Sequence, residues 1–307
     1  MITHYFKTVQ DSQLKTLESV RAGVWTHVVD PTDEELKKIV DEYALDEAIV
    51  EDARDFFEVP RMERSGGVTY FFTRYPFDDA DQDVDTAPLL IVVGESFVLT
   101  IAVREVLQFK GFIDGTVEII TTQKAKFFIQ IMDMLTKSYE YELLRLRKAV
   151  HKNRAKLRNI GPKEIERLVN YEQQLNDMIS SLVPTNVWLQ QVTGGNYMQL
   201  YNEDVELMED LMIANNQLID SSRSVMKTIQ NVRGASEAIM TSKLNVTIKT
   251  LTALTILLTI PTIVASLYGM NVTLPLGANP FAFWMVSVFI LLLVSIVVYF
   301  FKRNEWL

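Results

Sequence analysis

Two clusters of carboxylates are the side chains of this sequence best suited to hold a metal ion. One lies in the stretch FDDADQDVD and the other in the stretch EDVELMED. Mg²⁺ accepts carboxylate oxygens, and it usually keeps several waters while one or two carboxylates hold it. The alternative is that both clusters are solvated surface without a ligand. Their members are Asp78, Asp79, Asp81, Asp83 and Asp85, and Glu203, Asp204, Glu206, Glu209 and Asp210.

A second pattern is a stripe of small and polar side chains whose spacing alternates between three and four residues, as on one face of a helix. We call it the polar stripe; its members are Asn245, Ile248, Thr252, Thr255, Thr259, Thr262, Ser266 and Gly269. All but Ile248 are polar or small. Several parallel copies with this stripe inward would enclose a pathway lined by hydroxyl and amide groups. The alternative is that these hydroxyls bond only to their own backbone or to a neighbouring helix.

Several other kinds of chemistry find no support in the sequence. There is no cysteine, no G-x-x-x-x-G-K-[ST] loop and no visible nucleophile–base arrangement. The three histidines, His4, His27 and His151, are scattered and have no metal-ligand spacing. The net charge of −9 gives no support to nucleic-acid binding, which needs a basic surface. We therefore predict that the protein is not an enzyme.

Most of the polar stripe falls within the first of two predicted membrane spans. No charged residue occurs from Leu251 to Phe301, and the uncharged runs 251–268 and 281–301 are each long enough to cross a bilayer as a helix. Basic residues flank the pair on one side only, at Lys243 and Lys249 and at Lys302 and Arg303. The positive-inside rule then places both termini in the cytoplasm. The start of the chain lacks the apolar region of a signal peptide, and we expect a multi-pass protein of the cell (inner) membrane.

The residues before the spans predict a cytoplasmic α+β protein. Residues 1–120 form an α/β domain, because GVWTHVVD, GVTYFFTRYPF, PLLIVVG and SFVLTIAV have strand composition and TDEELKKIVDEYAL begins with a capping box. Residues 121–245 form a helical stalk, and residues 246–307 form a transmembrane pore domain with spans at about 250–270 and 281–301.

The last predicted helix of the stalk is unusually long. Residues 197–268 are interrupted only by Gly234 and Pro261, and about 70 residues would span roughly 105 Å. Apolar residues recur in it at intervals of seven, at Leu211, Leu218, Val225, Val232 and Ile239. We interpret this repeat as packing against helices of partner subunits. The alternative is an amphipathic helix in the bundle of its own chain.

The end of the first span resembles a known family. The residues Tyr268, Gly269, Met270 and Asn271, preceded by TIPTIVAS and placed between two C-terminal spans after a very long helix, are similar to the signature of the CorA family of divalent-cation transporters. The resemblance covers the whole chain. It implies a funnel-shaped homopentamer in membrane lipids that conducts hydrated Mg²⁺, with the first span lining the pore and the second surrounding it.

The resemblance also implies roles for individual residues. Asn271 would form a ring at the outer mouth and hold a hydrated cation, Gly269 would permit close approach, and Tyr268 and Met270 would brace the turn. Thr262, Thr259 and Asn245 fall where the family lines its pore. The loop VTLPLGANPF carries no acid, where family loops often have one. Selection would therefore rest on a neutral ring.

Regulation by the transported ion is a further implication. The family binds Mg²⁺ between cytoplasmic subunits to favour a closed state, and Asp210 matches the stalk acid best by its distance from Asn271. Glu206 and Glu209 lie beside it, and Asp78 and Asp79 are candidates for its partner in the neighbouring subunit.

Two alternatives stay open. A zinc transporter of the related type is the nearest one, although Met270 favours Mg²⁺, with Co²⁺ and Ni²⁺ as further candidate cargo. A non-transporting, membrane-anchored signalling or scaffold protein would show no ion flux and would have no use for the polar stripe.

Overall fold

The computed structural model describes residues 1–78, 84–154, 161–195, 197–272, 274–275, 279–304 and 306. The described strands are β1 (Ile2–Phe6), β2 (Lys15–Leu17), β3 (Val24–Val29), β4 (Arg61–Ser65), β5 (Val68–Asp78), β6 (Val84–Val93) and β7 (Phe97–Ala102). The described α-helices are α1 (Asp33–Tyr43), α2 (Glu47–Glu51), α3 (Lys110–Ile113), α4 (Lys124–Arg154), α5 (Pro162–Thr193), α6 (Asn202–Tyr268) and α7 (Ala282–Arg303). The chain divides into unit 1, Met1–Val232, and unit 2, Arg233–Leu307, so the division falls within α6. The three-part division at residues 120 and 245 stays a prediction.

Unit 1 is built on a seven-stranded mixed sheet of order β2-β1-β3-β7-β6-β5-β4. Only the β3–β7 pair is parallel among the described strands. Both sheet faces are covered, because Trp25 and Phe71 pack into one apolar cluster with α4 and α5 while Val24 and Phe72 pack into another with α1 and α2. Trp25 is fully buried, and its indole N–H donates to Thr100 Oγ1 at 3.0 Å.

The four strands expected from composition are confirmed as β3, β5, β6 and β7. The capping box is also confirmed, since the Glu35 N–H donates to Thr32 Oγ1 at 3.3 Å and the Thr32 N–H donates to Glu35 Oε2 at 3.1 Å. Three strands were not predicted, namely β1, β2 and β4. They are short or polar (ITHYF, KTL and RMERS). Strands β2 and β4 form the edges of the sheet, where native strands are often short or carry charged side chains.

Three long helices complete unit 1. Helix α5 is continuous through Pro184. It runs antiparallel to α6, because Asn186 Nδ2 donates to Asn216 Oδ1 at 2.9 Å while Gln230 Nε2 donates to Glu172 Oε1 at 3.3 Å. An apolar cluster joins α4, α5 and α6; it contains Tyr139, Leu143, Leu146, Val150, Leu168, Leu175, Met178, Leu182, Leu218, Ile219, Val225, Ile229 and Val232.

The interpretation of the seven-residue repeat as packing against partner subunits is wrong for the four members in unit 1. Leu218, Val225 and Val232 are buried against α4 and α5 of their own chain, and Leu211 is buried in the cluster beneath the sheet. A repeat of seven marks the apolar face of a helix but does not tell which chain covers that face. In unit 1 the cover comes from within the same chain.

This correction predicts the effect of shortening one of these side chains. Leu218→Ala should lower the free energy of unfolding by about 2–5 kcal/mol, because it leaves a cavity between the chain's own helices. Denaturant unfolding of the purified protein in detergent measures the effect. Ile213→Ala is the matched control, since Ile213 lies on the same helix but is 56% exposed. An unchanged midpoint for Leu218→Ala would contradict the intrachain packing.

Candidate functional site

Unit 2 contains the C-terminal part of α6 and the whole of α7, each of which includes a stretch long and apolar enough to cross a membrane. Most of their apolar side chains are exposed in the single chain, as expected for surfaces that face lipid or another subunit. The described residues thus agree with the two predicted spans.

Each of the two helices has one less exposed face. Within the apolar run 251–268 of α6 the least exposed side chains are Ala253, Leu257, Ile260, Pro261 and Val264. On α7 they are Ala282, Val286, Ser287, Ile290, Leu293, Val294, Val297, Val298 and Phe301. These spacings of three and four residues place each set on one side of its helix, which indicates that the two helices pack along these faces.

The polar stripe lies on the other side of α6. Asn245, Ile248, Thr252, Thr255, Thr259, Thr262, Ser266 and Gly269 are all exposed. At 3.6 residues per turn, the mean direction of the stripe is about 160° from that of the less exposed face. The packing within unit 2 therefore leaves the stripe uncovered, and the surface is available to a second copy of the helix or to an aqueous pathway.

Three of the four threonine hydroxyls of the stripe are already bonded on one side. Thr255 Oγ1 donates to the Leu251 carbonyl at 2.9 Å, Thr259 Oγ1 to the Thr255 carbonyl at 2.8 Å, and Thr262 Oγ1 to the Leu258 carbonyl at 2.8 Å. A hydroxyl that donates to its own helix keeps its lone pairs as acceptors. The stripe therefore presents acceptors, which suit the outward-pointing hydrogens of water bound to a cation.

The helix bonds end at the signature residues. Tyr268 is the last residue of α6, and the Gly269 N–H donates to the carbonyls of Ala265 at 2.9 Å and Ser266 at 3.2 Å. Met270 and Asn271 follow in a bend and are exposed. The Asn271 amide is thus placed at the end of the polar stripe by the termination of the helix itself.

Gly269 has no steric role within the single chain. Its φ is not in the left-handed region, and an added Cβ would lie 3.4 Å from the Ala265 carbonyl oxygen and 3.5 Å from that of Ser266, which are ordinary contacts. If a glycine is needed here, the reason lies outside the chain's own packing.

Part of the loop between the spans is described. The side chain of Asn279 accepts a hydrogen bond from the Phe281 N–H at 3.0 Å, in the turn that leads into α7. The Tyr268 hydroxyl lies 3.5 Å from the Pro275 carbonyl, at the limit of a hydrogen bond.

The stalk acids predicted to bind metal lie on an open surface. Glu206, Glu209 and Asp210 are exposed on the first turns of α6, and in the described part of the chain none of them is paired with a basic side chain. No group of three or more acidic or histidine residues that could hold a metal occurs among the described residues. A metal site built on these acids therefore needs ligands from elsewhere.

The acidic loop of the sheet is only partly described, because Asp79, Asp81 and Asp83 lie outside the described residues. Asp78 ends β5, and its carboxylate accepts from Arg145 Nη1 of α4 at 2.8 Å. Arg145 Nε also lies 3.0 Å from Glu142 Oε2. Burial raises the pKa of Glu142, with the Asp78 charge adding to the effect. Asp78 therefore already has a cationic partner, and no local pattern could predict this pairing because Arg145 lies 67 positions away in the chain.

One acid of the second cluster has a structural role. Asp204 is buried, and its carboxylate accepts from the Tyr201 N–H at 3.0 Å, which caps the start of α6. An acid in the first turn of a helix is the signal that could have identified this role. A cleft of about 960 Å³ in unit 1 lies beside it at the starts of α4 and α6, and it is lined by none of Glu206, Glu209 and Asp210.

Comparison with known proteins gives a consistent family signal. Residues 21–303 match the family described as CorA-like Mg²⁺ transporter protein. The cobalt/magnesium transport protein CorA of Methanocaldococcus jannaschii is 25% identical over 305 residues, which cover 92% of this chain and 91% of that protein.

Solved structures show the same fold. The complete CorA magnesium transporter of Methanocaldococcus jannaschii superposes with a TM-score of 0.89 at 22% identity and covers 100% of this chain and 99% of its own. The full-length CmaX protein gives 0.75 at 15% identity, covering 99% and 97%. The cytoplasmic domain of ZntB from Vibrio parahaemolyticus gives only 0.54 at 10% identity, covering 79% and 96%. The predicted order of an α/β domain, long helix and two apolar C-terminal helices is confirmed.

The geometry at Gly269 predicts that a methyl group there does not disturb folding. Gly269→Ala should change the free energy of unfolding by no more than about 0.5 kcal/mol. Gly23→Ala is the contrasting variant, because Gly23 has φ +86° and an added Cβ would lie 2.6 Å from Thr122 Cγ2. It should cost about 1–3 kcal/mol. Equal losses of stability for both variants, measured by denaturant unfolding, would show that the chain's own fold requires glycine at 269.

Proposed function

The chain belongs to the family of CorA-like Mg²⁺ transporter proteins, and from that premise we propose that it is a passive channel for hydrated Mg²⁺. Co²⁺ is a second cargo of the proposal, because the curated relative is named for both ions. Ni²⁺ is a third candidate. The working assembly is a homopentamer with α6 of each subunit at the axis, α7 outside it and both termini in the cytoplasm.

The exposed polar stripe is the observation that carries this proposal. A membrane helix in contact with lipid on all sides has no use for hydroxyl and amide groups on one face, since polar groups in hydrocarbon are costly unless they are bonded. The stripe lies opposite the face on which α6 packs within unit 2. Helices arranged around an axis would bring these faces together as an aqueous pathway.

The neutral chemistry of the stripe and of Asn271 suits an ion that keeps its waters. Mg²⁺ loses water reluctantly, and a ring of carboxylates would favour direct coordination. Amide oxygens and threonine lone pairs accept hydrogen bonds from water that stays bound to the ion. The membrane potential supplies about 2.3 kcal/mol per charge per 100 mV, and twice that for a divalent ion.

Closure by intracellular Mg²⁺ completes the proposal. Asp210, with Glu206 and Glu209, offers hard oxygen ligands on an open surface, and a bound cation would relieve the repulsion among these carboxylates. Asp78 can contribute only if it exchanges its Arg145 partner for the ion, and Asp79 is its neighbour in sequence. Because the described residues of one chain form no complete set of ligands, the site would be shared between subunits.

The pore-mouth assignment predicts the effect of removing one amide. Asn271→Ala should abolish Mg²⁺ uptake into proteoliposomes, with a residual rate below about a tenth of wild type, because the ring that accepts from the ion's waters is lost. Asn279→Ala is the matched control: it is an asparagine of the same loop whose side-chain oxygen accepts from the Phe281 N–H in the turn before α7. Uptake at the wild-type rate by intact Asn271→Ala oligomers would contradict the assignment.

The sensor assignment predicts a loss of protection by the ion. Mg²⁺ should slow proteolysis of the cytoplasmic part of the wild-type protein, and Asp210→Ala should weaken this effect. Asp220→Ala is the control, because Asp220 is also an exposed acid of α6 and its Oδ1 lies 3.7 Å from Arg223 Nη1. Unchanged protection of Asp210→Ala would remove this residue as a ligand.

The uptake assay also separates the alternatives. Parallel measurements with Mg²⁺, Co²⁺, Ni²⁺ and Zn²⁺, with and without a pH gradient, would identify a zinc transporter by preferred or proton-dependent Zn²⁺ uptake. A scaffold protein would conduct none of the four.

A further inference from the structure

The end of the α4–α5 hairpin is strongly basic in an otherwise acidic protein. From Arg145 to Lys163 the sequence contains eight lysine and arginine residues and no acid, although the whole chain has 39 acids and 30 bases. We define the basic tip by its four described, exposed members beyond the Arg145 ion pair, which are Arg147, Lys148, Lys152 and Lys163. None of the four has an acidic partner in the described part of the chain.

The basic residues of α4 lie on its outer face. Leu146 and Val150 are buried in the cluster that joins α4 to α5 and α6, whereas Arg147, Lys148 and Lys152 are exposed. The charges are therefore directed away from the packed interior of unit 1.

Helix capping does not explain the tip. Basic residues at the C-terminal end of α4 are favourable with respect to the helix dipole, but Lys163 lies in the first turn of α5, where a positive charge is unfavourable. Like charges from two helices at one end of a hairpin also repel each other. An anionic ligand or surface would remove both costs.

The tip lies at a defined end of unit 1. The pairs Asn186–Asn216 and Glu172–Gln230 make α5 antiparallel to α6, so the beginning of α5 lies at the same end of unit 1 as Val232. This is the end from which the chain continues toward its first uncharged span.

We propose that the basic tip binds the anionic headgroups of phospholipids at the cytoplasmic surface of the membrane. Clusters of four to eight bases close to a membrane span are attracted to anionic lipid, and the attraction decays within a Debye length. The alternative is that a second subunit covers the tip, which would require an acidic surface on that subunit. Unit 2, which follows in the chain, has five basic and only two acidic residues.

Lysine reactivity in proteoliposomes tests the proposal on the full chain. Vesicles of phosphatidylcholine alone and of phosphatidylcholine with phosphatidylglycerol contain no lipid amine, so reductive methylation with formaldehyde and a hydride donor reports only protein amines, which are the lysines and the N-terminus. Lys148, Lys152 and Lys163 should react at least about fivefold more slowly in the anionic vesicles, and roughly 1 M salt should restore their rates. Lys37 and Lys38, exposed on α1, serve as internal references whose rates should not change.

A pair of variants links the protection to the tip. In Lys148→Gln/Lys152→Gln the remaining reporter Lys163 should lose most of its protection, whereas in Lys37→Gln/Lys38→Gln it should keep it. Mg²⁺ uptake in neutral vesicles should be unchanged in both variants, which separates failure of this proposal from failure of the transport function. Equal rates in neutral and anionic vesicles would overturn the proposal. Protection in both would also overturn it, because it would indicate cover by another subunit.

Discussion

The absence of hydrogen-bonding partners in a lipid bilayer is the constraint on which the proposed pathway depends. A polar side chain in this environment must be bonded within its own helix, bonded to a partner, or in contact with water. Thr255, Thr259 and Thr262 meet the first condition through the carbonyl four residues earlier. They can therefore lie on an exposed face of α6 without an unpaired donor, while their lone pairs stay available to a hydrated ion.

The same helix meets two different demands along its length. In unit 1 one apolar face of α6 packs against α4 and α5 of the same chain, whereas Glu206, Glu209 and Asp210 on its first turns are exposed. In unit 2 the less exposed face contains small and branched side chains, and the opposite face carries the polar stripe. Charge follows the same division, since only two of the 39 acids of the chain occur in unit 2. The acidic charge of unit 1 attracts divalent cations, and the basic residues that flank the predicted spans suit an anionic membrane surface.

The structural requirement for glycine differs between positions 269 and 23. The backbone at this residue accepts a side chain without strain, so folding of the chain gives no reason for glycine. At Gly23, by contrast, a positive φ and a close Thr122 leave no room for one. The single chain does not require this glycine, which lies close to the exposed Asn271. In the proposed pore mouth, close approach of neighbouring copies would account for it.

Local sequence patterns alone were enough to predict several features of the structure. The uncharged runs, the buried strands, the capping box of α1 and the one-sided polar stripe each follow from residue types at fixed spacing, because a helix or strand repeats regularly. Tertiary structure decided which surface covers each pattern. Leu218 and Val225 proved to pack within their own chain, and Asp78 is paired with Arg145. The physical reason is that periodicity marks a face to be buried or a charge to be paired, whereas the partner is fixed only when distant segments meet.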